Sequence, residues 1–163
     1  KINYCLRSLK DKGLVKIKHA PRNRYMYYLT PKGFSEKARL TGEYLKHSFN
    51  FYRKAKNEYM EIINTAEKLG YTKIVLSDFS ELAEIFIMSS YETQIKIVGI
   101  IGVDKKSYFG IKVIKSIEDI KDYDVIVMTT MRLFNNRYNE ILSSSKRNKI
   151  LIPKILKNLK KDD

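Results

Sequence analysis

Residues Ile2 to Phe34 read INYCLRSLKDKGLVKIKHAPRNRYMYYLTPKGF, and the three pieces of this stretch decide how the rest of the chain is understood. In the first piece Ile2, Cys5, Leu6 and Leu9 recur at helical spacing, which groups them on one face and turns Lys1, Asn3, Tyr4, Arg7 and Lys10 outward. Gly13 is placed to end that helix. Two short apolar runs, Leu14 to Lys18 and Tyr25 to Leu29, then flank Ala20-Pro21-Arg22-Asn23-Arg24, which predicts a β-hairpin with a cationic tip. An apolar back with a polar front suits a helix that reads a nucleic-acid groove.

Charge supports that reading. The 163 residues carry a formal net charge of +14, and the excess is uneven. Residues 1–56 hold 15 Lys+Arg against 3 Asp+Glu, while residues 57–163 hold 17 against 15. An excess concentrated beside a helix and a hairpin is what phosphate neutralisation requires. The single cysteine, Cys5, has no internal disulfide partner and is expected as a reduced core residue. His19 and His47 have no ligand spacing, so no metal site is expected. No apolar run approaches the roughly 20 residues of a membrane span and no leader pattern stands at the start, so a cytoplasmic setting is expected.

The order helix, basic hairpin, then Leu29-Thr30-Pro31-Lys32-Gly33 resembles the second half of a winged helix-turn-helix domain of the MarR type. In that family KGLV follows the recognition helix and LTPKG opens the next helix; Lys12 to Val15 and Leu29 to Gly33 match both strings. The resemblance is strongest to the group associated with exopolysaccharide gene clusters, through INYCL at Ile2 to Leu6, KGLVK at Lys12 to Lys16 and LTPKG…EKARLT at Leu29 to Thr41. It implies a transcription regulator that binds double-stranded DNA as a dimer. It also implies two further helices before Lys1, so that residues 1–33 are read as a partial DNA-binding domain.

Thr30 is a suitable N-cap and Pro31 suits the first helical position, predicting a long helix that reaches Leu69. Ala38, Leu45, Tyr52, Tyr59 and Ala66 repeat every seven residues, with Phe49, Ala55, Ile62, Ile63 and Leu69 beside them, as one continuous stripe. Gly42 marks a place for a bend or break. The stripe can pack on neighbouring elements of the same chain or pair with a second copy; homodimerisation through 34–69 is the favoured expectation.

Beyond residue 70 the texture changes to alternating short β-rich runs and helices: strands within 73–76, 95–101, 110–114, 124–129 and 149–152, and helices over 81–91, 116–121, 133–142 and 154–160, with a polar turn over 104–108 and the tail frayed. The pattern predicts an α/β protein whose last domain, 71–163, is a small open Rossmann-like sheet of four or five mostly parallel strands, joined by the 34–70 helix to the head. It resembles the domain at the front of sugar acetyltransferases and related nucleotide-sugar enzymes, through Ile74-Val75-Leu76, Val98-Gly99-Ile100-Ile101, Asp104, Gly110 to Val113 and Asp124 to Val127.

A dinucleotide-binding sheet of this kind carries glycines in its first turn so that backbone can approach a pyrophosphate. This chain has Asp78-Phe79-Ser80-Glu81-Leu82-Ala83 there. Asp78 and Glu81 put negative charge where phosphate would sit, and Asp78 or Ser80 reads more simply as a helix cap. The crevice at the strand ends, with Asp78, Ser80, Asp104, Thr129, Thr130 and Arg132 as candidate lining, is left for an unidentified small molecule or partner segment. Thr129-Thr130 reads equally as an ordinary strand end. No catalytic constellation and no cofactor emerge. Ser143-Ser144-Ser145 has no neighbouring histidine, and Glu118-Asp119 reads as solvated charge.

Lys1, Asn3, Tyr4 and Arg7 are thus the expected major-groove residues, Arg22 and Arg24 the expected minor-groove or phosphate contacts, and Lys16, Lys18 and Lys32 further phosphate contacts. The competing expectation makes the last domain the working part, a nucleotide- or sugar-nucleotide-binding module derived from an enzyme, with the head used for assembly.

Overall fold

The computed structural model describes residues 2–21, 24–103, 106–131, 134–144 and 150–157; Lys1, Arg22, Asp104, Arg132 and the tail from residue 158, which carry expectations above, lie outside the described residues. The chain divides into two compact units, Lys1–Asn50 and Phe51–Asp163.

The first unit contains helix α1 (Ile2–Asp11), strands β1 (Val15–Ala20) and β2 (Arg24–Leu29), and the first part of helix α2 (Pro31–Lys68). Helix α1 stops because Gly13 takes a left-handed conformation, φ +69. That turn lets Leu14 N donate to Leu9 O at 2.9 Å and Gly13 N to Lys10 O at 2.8 Å, satisfying carbonyls the helix would otherwise leave open. β1 and β2 pair antiparallel from Val15 opposite Leu29 to Ala20 opposite Arg24.

The start of α2 is tied directly to the end of α1. Thr30 Oγ1 accepts from Gly33 N at 2.9 Å, as an N-cap should, and donates to Gly13 O at 2.7 Å. Thr30 N donates to Leu14 O at 3.1 Å, and Lys32 Nζ to Lys12 O at 3.1 Å. Gly33 is buried in this junction, where a Cβ would overlap the Leu14 carbonyl oxygen. The KGLV and LTPKG segments are therefore two sides of one hydrogen-bonded latch.

Two expectations about the apolar faces are corrected. Cys5 is exposed rather than buried, as is Leu9, because helical spacing groups apolar residues without supplying a cover for them. Helix α2 runs through Gly42 without interruption, but its stripe is not continuous in burial. Ala55, Tyr59, Ile63 and Ala66 are fully buried, whereas Ala38, Leu45, Phe49 and Tyr52 are exposed, and Leu69 lies exposed beyond the helix end.

In the second unit, β3 (Lys73–Leu76), α3 (Glu81–Ser90), β4 (Lys96–Ile101), β5 (Ser107–Tyr108), β6 (Ile111–Ile114), β7 (Val125–Val127), α4 (Phe134–Ser144), β8 (Ile150–Leu151) and α5 (Lys154–Lys157) follow the C-terminal part of α2. The strands form one open six-stranded sheet in the order β5-β6-β4-β3-β7-β8. All neighbours are parallel except β5 and β6. This is the expected mixed α/β class. The strand beyond the expected five is β5, which stands where a polar turn is expected. Residues 117–119 form one 3-10 turn rather than the longer helix expected after Ser116.

The core lies against this sheet. Ile74, Val75 and Leu76 on β3 and all of β7 are buried, as short β-branched runs in a parallel sheet should be. Helix α3 buries Leu82, Ala83, Ile85, Phe86 and Ile87, leaving little of it polar. From α2, Tyr59 meets Phe86 edge-on with ring centroids 5.4 Å apart, and its hydroxyl donates to Met128 O at 3.1 Å. Burial raises the Tyr59 pKa far above the ordinary phenol value, with the Glu58 charge adding to the shift. Asp124 Oδ2 accepts from the Thr72 and Lys73 amides at 2.8 Å each, fixing the start of β7 beside the start of β3.

Candidate functional site

The strand pairing sorts the hairpin of the first unit into two unlike faces. Paired residues share a face and alternate ones change it, so Val15, Ile17 and His19 lie with Leu29, Tyr27 and Tyr25, while Lys16, Lys18 and Ala20 lie with Tyr28, Met26 and Arg24. Lys16, Lys18 and Arg24 are exposed together on the second face, and Lys18 Nζ stands 5.8 Å from the Tyr28 ring centroid. On α1, Asn3, Tyr4, Arg7 and Lys10 are exposed, Tyr4 at 80% of its surface. Lys32 is exposed but its ammonium is committed to the Lys12 carbonyl. Lys1 and Arg22 lie outside the described residues.

The hairpin's other face continues into an apolar groove of about 390 Å³, lined by Leu9, Leu14, Val15, Leu29, Leu40 and Tyr44 among others. No described residue fills it.

The second unit places a crevice where its topology reverses. From β3 the chain moves through α3 to β4 and then β6 on one side, and returns to the other side of β3 with β7. The segments leaving β3 and β7 therefore lie side by side at the carboxyl ends of parallel strands, where open α/β sheets hold ligands. Here Ser77, Asp78 and Ser80 are stitched to Thr129 and Thr130. Thr129 Oγ1 donates to Asp78 O at 2.8 Å, Ser80 Oγ donates to Thr129 O at 2.6 Å, and the Ser77 and Thr130 hydroxyls are 3.1 Å apart.

Thr129 and Thr130 are consequently buried and occupied in holding the two loops together; they do not line the cavity. Ser80 is the N-cap of α3, accepting from Ala83 N at 3.2 Å, while Asp78 Oδ1 accepts from Phe79 N at 2.8 Å. The cavity beside them is about 460 Å³ and is lined by Asp78, Phe79, Ser80, Glu81, Glu84, Tyr108 and Met131. Burial raises the Asp78 pKa, opposed in part by the charge of Arg137. The Tyr108 hydroxyl donates to Glu84 Oε1, and burial together with that bond pushes its pKa up to about 12. Asp104 and Arg132, two further expected lining residues, lie outside the described residues.

Another hollow, between α2 and the β8–α5 segment, has its carboxylates already engaged: Glu58 accepts from Ile155 N at 2.6 Å and Glu61 from Lys154 Nζ at 2.9 Å. Among the described residues no group of three or more His, Cys, Asp or Glu is placed to hold a metal ion. No described helix is long and apolar enough to cross a membrane. Compared with known proteins, the chain matches no family model, no curated sequence and no solved structure.

Of the crevice residues, Glu84, Tyr108 and Met131 are not assigned by sequence. They come from a helix, an edge hairpin and a loop far apart in the chain. The nearest signal is Phe109-Gly110, a two-residue turn with φ +50 and +76 between β5 and β6. Hairpin turns of that geometry usually announce themselves as Asn-Gly.

Proposed function

We propose that the chain is a DNA-binding regulator, with the first unit contacting duplex DNA and the second responding to a small molecule. The observation that carries this reading is the hairpin register, which collects Lys16, Lys18 and Arg24 on one exposed face beside Met26 and Tyr28 and puts Val15, Ile17 and Leu29 on the other. Such a face suits the phosphate backbone, which supplies most of the salt-dependent affinity of DNA-binding proteins. The exposed Asn3, Tyr4 and Arg7 on α1 provide side chains that can pair with base edges in the major groove. Arg24 serves as the wing cation in this proposal.

The same reading makes the protein a homodimer through the uncovered half of α2, because paired half-sites are matched by twofold protein symmetry. Its support is the exposed apolar surface of Phe34, Leu45, Phe49 and Tyr52. The sensory role of the second unit is supported by the crevice at the topological reversal. We infer that the chain acts by binding rather than by catalysis.

The test is selection of duplex DNA from a random pool by the full-length protein, followed by titration of the selected site over a range of salt. Enriched inverted repeats are expected. The triple variant Lys16→Ala, Lys18→Ala, Arg24→Ala is expected to bind more weakly, with the slope of log K against log salt reduced by roughly 0.9 for each phosphate that is no longer neutralised. Unchanged affinity and slope would remove the hairpin from the interface.

A further inference from the structure

We infer that the crevice at the strand ends of the second unit takes an organic cation, an ammonium group on an apolar stem. This rests on the proposal that the second unit senses a small molecule, and it names the chemistry of that molecule.

The cavity of about 460 Å³ lies at the point where ligands enter sheets of this topology. What distinguishes it is the sign of its lining. Asp78, Glu81 and Glu84 contribute three carboxyl groups, and among the described lining residues there is no Lys or Arg. The nearby cation that acts on Asp78, Arg137, is itself paired with Glu140 at 2.9 Å. The N-terminus of α3 also faces the cavity and opposes a cation, but a helix end amounts to roughly half a positive charge. Three carboxyl groups outweigh it, two of them in the first turn of that same helix.

The Phe79 ring lies against Gly102 so closely that a Cβ there would strike it, so the backbone at the end of β4 is covered by an aromatic face rather than open to an anion. Phe79 and Tyr108 are tilted at 45° with centroids 5.9 Å apart, and Phe109 stands edge-on to Tyr108 at 4.9 Å. Aromatic faces attract an ammonium through their quadrupoles and pack against its alkyl stem. Met131 adds a polarisable apolar wall. Tyr108, by donating to Glu84, holds that carboxyl group in place at the rim. Carboxyl groups beside aromatic walls are complementary to an amine and hostile to a nucleotide.

The experiment is calorimetric titration of the full-length protein with spermidine, with magnesium chloride and UDP-glucose as separate probes, in ~150 mM salt so that diffuse attraction is screened. Saturable spermidine binding is expected, weakened roughly tenfold or more in Glu81→Gln and in Glu84→Gln, as removal of a charge-assisted hydrogen bond requires. Glu81 is exposed and makes the safer variant should weakening of the Tyr108 hydrogen bond unsettle Glu84→Gln. Magnesium is expected neither to give that heat nor to displace spermidine. The inference falls if spermidine does not saturate, if both variants bind it as well as the parent does, or if magnesium replaces it. Saturable UDP-glucose binding that is lost in the same variants would overturn the cation while leaving small-molecule sensing standing. DNA binding, measured in parallel, reports on the first unit independently.

Discussion

Two glycines in α2 show how far a residue's role depends on what surrounds it. Gly33 sits in the latch, where a Cβ would overlap the Leu14 carbonyl oxygen; Gly42 has nothing within 4 Å of the same position. Alanine at either site improves helix propensity by about 1 kcal/mol, and at Gly33 the overlap works against that gain. Gly33→Ala is therefore expected to destabilise the first unit by about 1–3 kcal/mol, the usual cost of overpacking, while Gly42→Ala stabilises it by about 1 kcal/mol. Chemical denaturation followed by circular dichroism at 222 nm, where helix dominates, reads both signs. Equal effects at the two sites would mean that the Gly33–Leu14 approach is not part of the folded state in solution.

At the scale of elements, α2 is the one that does two jobs. Ala55, Tyr59, Ile63 and Ala66 are sealed into the second unit, while Phe34, Leu45, Phe49 and Tyr52 lie exposed on one face. Across the helix from them, Arg39 pairs with Glu36 at 2.7 Å and Glu43 at 2.6 Å, a solvated face worth little to stability. Leu45→Glu with Phe49→Glu is expected to leave helix content intact and convert the proposed dimer to monomer, as measured by light scattering across a concentration series. A parent protein that is monomeric throughout would remove the dimer.

The helix also marks what sequence can and cannot show. Its start and the end of α1 are legible because caps are local chemistry: Thr30 and Gly13 act on residues three or four positions away. The division of its stripe is not, because a period identifies a face and says nothing of what covers it. The β5–β6 hairpin is hidden behind Phe109, and the threonines after β7 prove to be fastenings between loops, which no spacing within one segment can reveal. The acidic first turn, Asp78 to Glu81, is legible in the sequence; the aromatic walls beside it are not.

For the molecule as a whole, burial is unequally shared. Among the described residues the largest fully buried side chains, including Tyr59, Phe86, Ile74, Leu82 and Ile126, all belong to the second unit. Each such side chain contributes about 1.5–3 kcal/mol through removal from water, so local stability should differ sharply along the chain. Amide hydrogen exchange is expected to be slowest at 74–76 and 125–127 and much faster through 15–29. Uniform protection across both units would show that they open together.

The position of β3 has a consequence for synthesis. It is central in the finished sheet, with Ile74 beside Ile97 on one side and Val125 on the other. On the ribosome, chains emerge at about 5–20 residues per second, so the second neighbour arrives several seconds after β3 itself at the slower rates. Throughout that interval β3, with its buried Ile74, Val75 and Leu76, has a bare edge, the kind that recruits other chains. The nascent protein's period of greatest vulnerability to aggregation is therefore set by the distance between β3 and β7 in the gene, and it closes when residues 125–127 are free to pair.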